Sequence, residues 1–242
     1  MVHQSSRVRR WAVRFLGDEG SVFPQTARLL LKIAQIESAV RVRSQLASTA
    51  KRLPAEVGLP IAYQILLRNL DAHDTHLPLL LWWVVEHHAV TAVDQCVELF
   101  ASPAGWQAPM IRDVILERLM RRAAAEGTEA TLMACAHLLA SAPGDGERNR
   151  MLAALDQGLQ DRPTDGAGKN LGELFTAHAV ADRAPTERKG AALRSPPALE
   201  IQLAKLWKHD TSDLALVRVT ARLRREGAED RGRHQHQRGR EV

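Results

Sequence analysis

Histidines and carboxylates crowd one short stretch of this chain, where metal coordination is the first chemistry to weigh. His73, Asp74 and His76 stand just ahead of an apolar run from Leu77 to Val85, and Glu86, His87 and His88 follow it. Two imidazoles and a carboxylate can ligate a transition metal. The spacing does not assemble such a site: His73 and His76 fall in a connector, and about 15 Å of helix, at 1.5 Å per residue, separates them from Glu86. The simpler expectation has Asp74 or Thr75 cap a helix, Pro78 occupy its first turn and the histidines edge it. Protonated His87 and His88 would then sit favourably against the helix C-terminus. No metal ligand and no cofactor is assigned, and His76 is kept as a candidate interaction residue.

Nucleophilic and phosphate chemistry find less support. The chain has no GxSxG, and no cysteine stands next to a plausible histidine base within one segment. Gly144-Asp145-Gly146 and Gly166-Ala167-Gly168 lack the preceding strand that a phosphate-binding loop needs, so both are expected as connectors. Cys96 and Cys135 lie among apolar neighbours with no CxxC or CxxCH, which predicts buried free thiols. No catalytic residue is assigned, and a non-enzyme is expected.

Two other residue sets suit recognition. Trp82 and Trp83 are adjacent, so on a helix they point about 100° apart. One is expected in the core and the other in the groove between repeats, where it could anchor a docked partner, although packing against a neighbouring repeat is the commoner fate of such a ring. Arg9, Arg43 and Arg112 recur at equivalent places in a repeating pattern. They could face phosphates or an acidic partner, or pair internally with acids such as Asp18, Glu37 or Asp113. The near-neutral body of the chain favours internal pairing.

The repeat that positions these residues has a period of about 34: Val8-Arg9, Val42-Arg43, Leu77, Ile111-Arg112. Each apolar residue is followed four positions later by Ala12, Leu46, Leu81 or Ile115. Such pairs at a fixed long period predict an all-α fold, an α-solenoid of stacked HEAT-like hairpins. Helices are expected before Gly17, from Pro24, after Ser38 and up to Pro54. Further helices are expected near 57–69, 75–89, 90–101, 108–126, 128–141, 147–161 and 170–182. Ser102 to Gly105 is read as a connector, and 183–197 as loop. The repeats are expected over 1–161, a looser helical continuation over 162–223, and a disordered basic tail over 224–242. An array open at one end would expose Val8, Trp11 and Phe15.

Aromatics at 4% and abundant Ala, Leu and Arg agree with helix. The formal charge of +5 is concentrated late: residues 222–242 hold seven arginines against four acids, leaving 26 basic and 24 acidic residues elsewhere. Arg7, Arg9, Arg10 and Arg14 interrupt any leader-like apolar stretch, and the nine-residue run Leu77 to Val85 is too short to span a bilayer.

The segments Val8-Arg9-Arg10-Trp11-Ala12-Val13-Arg14-Phe15-Leu16-Gly17-Asp18, Val42-Arg43-Ser44-Gln45-Leu46-Ala47 and Asp74 through Trp83 carry a resemblance. The first resembles a HEAT-type helix. Together they are similar to the helical-repeat region of planctomycete-type multidomain proteins. In that family a membrane-bound-dehydrogenase-type β-propeller precedes the repeats and a cytochrome c-like CxxCH domain follows. The similarity covers about two-thirds of the chain and is best in the first 90 residues. This chain has neither the propeller nor the haem motif. The resemblance implies a fragment: a non-catalytic scaffold of a larger haem-containing dehydrogenase-like protein, with those two domains as partners and an exported, cell-envelope setting. The alternative is a nucleic-acid-associated repeat protein using the arginine ladder and basic tail, which the balanced body disfavours.

Overall fold

The computed structural model describes residues 3–162, 195–209 and 213–224, and every regular element among them is helical. The first four helices are α1 (Ser6–Leu16), α2 (Pro24–Ile36), α3 (Val40–Ala50) and α4 (Ala55–Leu67). Next come α5 (Leu77–His88), α6 (Val93–Phe100) and the short α7 (Pro103–Gln107). A π-turn, Ile111–Ile115, leads into α8 (Leu116–Glu126), followed by α9 (Glu129–Ser141) and α10 (Asp145–Gln160). The later segment adds α11 (Pro197–His209) and a helical stretch, 214–224. The helix expected at 170–182, most of the loop at 183–197 and nearly all of the basic tail lie outside the described residues.

Local chemistry accounts for the boundaries. Pro24 and Pro78 sit in first turns, where a missing N–H costs nothing. Gly127 ends α8 in the left-handed region at φ 65°, the conformation glycine adopts without a Cβ penalty. Thr128 then caps α9 by accepting from the Thr131 N–H. The expected connector Ser102 to Gly105 is corrected by α7. Ser102 Oγ accepts from the Gly105 N–H at 3.2 Å, and Pro103 presets the helical φ. Trp106 completes this turn by burying its ring and donating Nε1 to Ser141 Oγ at 3.2 Å.

Packing follows a simple order. In one row α1 lies on α3, α3 on α5, α5 on the π-turn and α8, and α8 on α10. In the other, α2 lies on α4, α4 on α6, α6 on α9, and α9 on α11. Sequential pairs such as α3–α4, α4–α5 and α8–α9 join the rows. Between the rows Leu30, Leu46, Leu59, Leu81, Phe100, Leu119, Leu139 and Leu155 are buried in one continuous core. Close helix approach depends on Gly58, where a Cβ would meet the Ala50 carbonyl oxygen at 2.3 Å. Gly158 does the same beneath α8, where a Cβ would stand 2.4 Å from the Arg121 carbonyl oxygen. Among the described residues no helix is long and apolar enough to cross a membrane.

Candidate interaction groove

The repeated arginines turn inward. Arg9 Nε and Nη2 donate to the two Glu37 carboxylate oxygens at 2.8 and 2.7 Å, while Nη1 reaches the carbonyls of His3 and Gln4. Arg43 reproduces this fork 34 residues later. Its Nε donates to Asp71 Oδ2 at 2.7 Å, its Nη2 donates to Oδ1, and Nη1 reaches the carbonyls of Glu37 and Ser38. The acceptors Glu37 and Asp71 are also 34 apart, as are the carbonyl pairs. Arg68 adds a bond to the Glu37 carbonyl at 2.7 Å, tying α4 into the chain of contacts.

These forks are bidentate and largely dry, the geometry in which a guanidinium binds a carboxylate best. The Arg9 hydrogen bond outweighs desolvation and holds the Glu37 carboxyl below its ordinary range. Arg112 departs from the series: it lies in the π-turn and pairs with its neighbour Asp113, which also accepts from Arg150 at 2.9 Å. Arg112 is first among the causes that lower the Asp113 pKa. With their donors engaged by carboxylates and carbonyls, Arg9 and Arg43 present no ladder to a phosphate backbone.

The histidines around α5 stand ahead of it and in its last turn. Asp74 Oδ1 accepts from the backbone N–H groups of His76 and Leu77 at 2.9 and 2.8 Å, and these bonds lower its pKa. His76 is exposed at the α5 entry. His88 corrects the expectation of a protonated helix end: it is buried, and its Nε2 has no hydrogen-bond partner. Burial, and then His87, lower its pKa, so the neutral ring is favoured. Among the described residues no group of three or more His, Cys, Asp and Glu side chains converges as a metal site would. Cys96 and Cys135 are free and buried, and burial raises both thiols to about 12, far from a reactive thiolate.

The two tryptophans part company. Trp82 is buried in the core and Trp83 is 41% exposed. Trp83 lines an open groove of about 590 Å³ between α3 and α5, with Ala47, Ser48, Lys51, Arg52, Leu80 and His87. The Lys51 ammonium stands 5.6 Å from the centroid of its indole ring, a cation–π contact worth about 0.5–1 kcal/mol at an exposed site. Arg52 donates to the Gly17 carbonyl and to Asp18, both at 3.3 Å, closing the groove toward the α1–α2 loop. The His87 ring meets His88 edge-on at 4.8 Å. An indole flanked by cations on a concave wall can anchor an aromatic or apolar side chain with a neighbouring negative charge.

Sequence reasoning singled out Trp83 but not its groove partners Ser48, on α3, and Lys51, just past its end, both more than 30 residues away. It also missed Asp71 as the partner of Arg43. The signal was present: acids at 37 and 71 share the period of the arginines at 9 and 43. The chain matches no protein-family model, and no curated protein or solved structure is significantly similar to it.

Proposed function

We propose that this chain is a non-catalytic scaffold, an α-solenoid of HEAT-like hairpins that holds a neighbouring domain or another protein. The Arg9 and Arg43 forks carry this reading. The same donors meet the same classes of acceptor at a constant 34-residue offset, as in units that repeat and stack. The row-by-row packing of alternate helices supports it, and the Trp83 groove supplies an anchor. In the planctomycete-type proteins that the first 90 residues resemble, the natural partners are the β-propeller and the cytochrome c-like domain. Catalysis and haem would belong to them.

Titrating the full chain by calorimetry with a propeller domain and a haem domain of the resembled type tests the proposal. One of them binds, and Trp83→Ala weakens binding by about tenfold or more, a hot-spot loss, with an unchanged circular dichroism spectrum. Failure of both domains to bind, or indifference to Trp83→Ala, sinks it. The nucleic-acid alternative keeps one supporting observation, the absence of Asp and Glu from α1, α2 and α3. Oligonucleotide binding whose affinity falls steeply with salt would establish that alternative instead.

A further inference from the structure

The α1–α2 hairpin combines an apolar seam with a charge imbalance that the whole-chain total conceals. Val8, Trp11 and Phe15 on α1 are exposed, at 45, 41 and 66%, and so are Phe23 and Ile36 at the two ends of α2. Positions 8, 11 and 15 follow the three-and-four spacing by which one helix seats along another. Trp11 and Phe15 stack at 5.6 Å, and the Arg10 and Arg14 guanidiniums lie 5.7 and 5.2 Å from the Trp11 ring centroid. Neither α1 nor α2 contains an acid, and no described carboxylate pairs with Arg7, Arg10, Arg14, Arg28 or Lys32. Residues 3–53 hold ten Lys and Arg against three acids, whereas residues 54–162 hold eight against fourteen.

The hydrogen-bond pattern extends to this same face. His3 Nδ1 accepts from the Ser5 N–H at 3.1 Å, where one repeat later Glu37 Oε1 accepts from the Ala39 N–H at 2.9 Å. Glu37 also receives an arginine from the preceding hairpin, while the equivalent His3 faces solvent. Further in, this stacking position is filled: α1 covers α3, and α3 covers α5.

We propose that the outward face of the α1–α2 hairpin is a docking site for an acidic amphipathic helix of another protein. The apolar stripe of that helix covers Val8, Trp11 and Phe15, and its flanking carboxylates meet Arg7, Arg10 and Arg14. Charge complementarity selects this occupant. A second copy related by a two-fold axis would set the same arginines against one another. A head-to-tail copy would set this face against the far end, where Ile201, Leu214 and Val217 are exposed, and the oligomeric state distinguishes that occupant. An anionic lipid surface offers charge but no partner for a seam in helical register. The proposal rests on the scaffold reading only in that the chain binds proteins; its site and its readout are separate from Trp83.

Two fluorescent helix-forming peptides test it on the full chain. Both carry a leucine stripe; one is flanked by glutamates and its twin by lysines. Anisotropy is expected to show the acidic peptide bound at least about tenfold more tightly than its twin. Phe15→Glu, and separately Arg10→Glu with Arg14→Glu, abolish that preference, and Trp83→Ala leaves it intact. These side chains are surface-facing, so unchanged circular dichroism certifies each variant. Equal affinity for both peptides, binding of neither, or loss only in Trp83→Ala overturns the proposal. So does a dimer in sedimentation equilibrium that Phe15→Glu dissociates. Co-sedimentation with phosphatidylcholine vesicles containing phosphatidylserine, without any peptide preference, also overturns it, in favour of lipid.

Discussion

The two ends of the molecule solve the same packing problem differently. Beyond α9 and α10, α11 packs on α9, Leu216, Val219 and Leu223 of residues 214–224 are buried, and Arg218 reaches Asp156 at 3.6 Å, while Ile201, Leu214 and Val217 stay exposed. At α1–α2 the corresponding surface keeps its aromatics in solvent under a set of arginines without acids. Residues 214–224 bury part of the apolar surface at one end, whereas the arginines of α1 other than Arg9 meet no described acid at the other. The forks differ in the same direction: Arg9 is 18% exposed in its ion pair, while Arg43, 34 residues later, is 6% exposed.

The sharpest way to test that difference is to remove each arginine in turn. Arg43→Ala strands the buried Asp71 carboxylate and should cost about 3–5 kcal/mol, read as a lowered denaturation midpoint. Arg9→Ala, nearer to water, should cost visibly less. Equal losses would erase the distinction between edge and interior. Neither variant should alter binding at Trp83.

Truncating apolar side chains at the two ends comes next. Leu216→Ala in the stretch 214–224 should cost about 2–5 kcal/mol as a buried leucine lost. Phe15→Ala at the basic end should stay within about 0.5 kcal/mol of the parent. A large loss from Phe15→Ala would mean that the aromatic face already serves the fold.

A smaller effect concerns His88, buried where the α3–α4 turn meets α5, with His87 and Glu56 as its charged neighbours. Its folded pKa lies below the ordinary 6.5, so the unfolded chain binds the proton more readily. Its contribution to stability is complete above pH 6.5 and is lost as pH falls through the folded pKa. Melting temperature should therefore drop between pH 7.5 and pH 5.5, and His88→Gln should flatten that drop. Smallest of all is the exposed pair Arg121–Asp161: Arg121→Ala should change stability by only about 0–1 kcal/mol in chemical denaturation.

Legibility in the sequence varied with the range of the interaction. Helix positions were readable because their causes are local: Pro24, Pro78 and Gly127 act within a turn, and apolar pairs such as Leu77 and Leu81 report the period directly. The connector at Ser102 to Gly105 was misread because the helix there depends on Trp106 docking against Ser141, 35 residues away. The groove was half legible. Adjacent tryptophans must diverge on a helix, but which of them meets Lys51 depends on how α5 is rotated against α3. The charge imbalance was hidden by summation, since basic helices at one end and acids beyond residue 53 nearly cancel in a total. The acid-free runs of α1, α2 and α3 were its visible trace.

By itself the sequence determined an all-helical chain, its 34-residue rhythm and the punctuation of its turns, because propensity, capping and periodicity act over a few residues. The tertiary structure alone decided that Arg9 and Arg43 face inward, that His88 is buried with its pKa lowered, and that Trp83 rather than Trp82 is exposed in a groove. Those outcomes depend on partners 28 or more residues away, and only packing brings them within the few ångströms over which ion pairing and desolvation act.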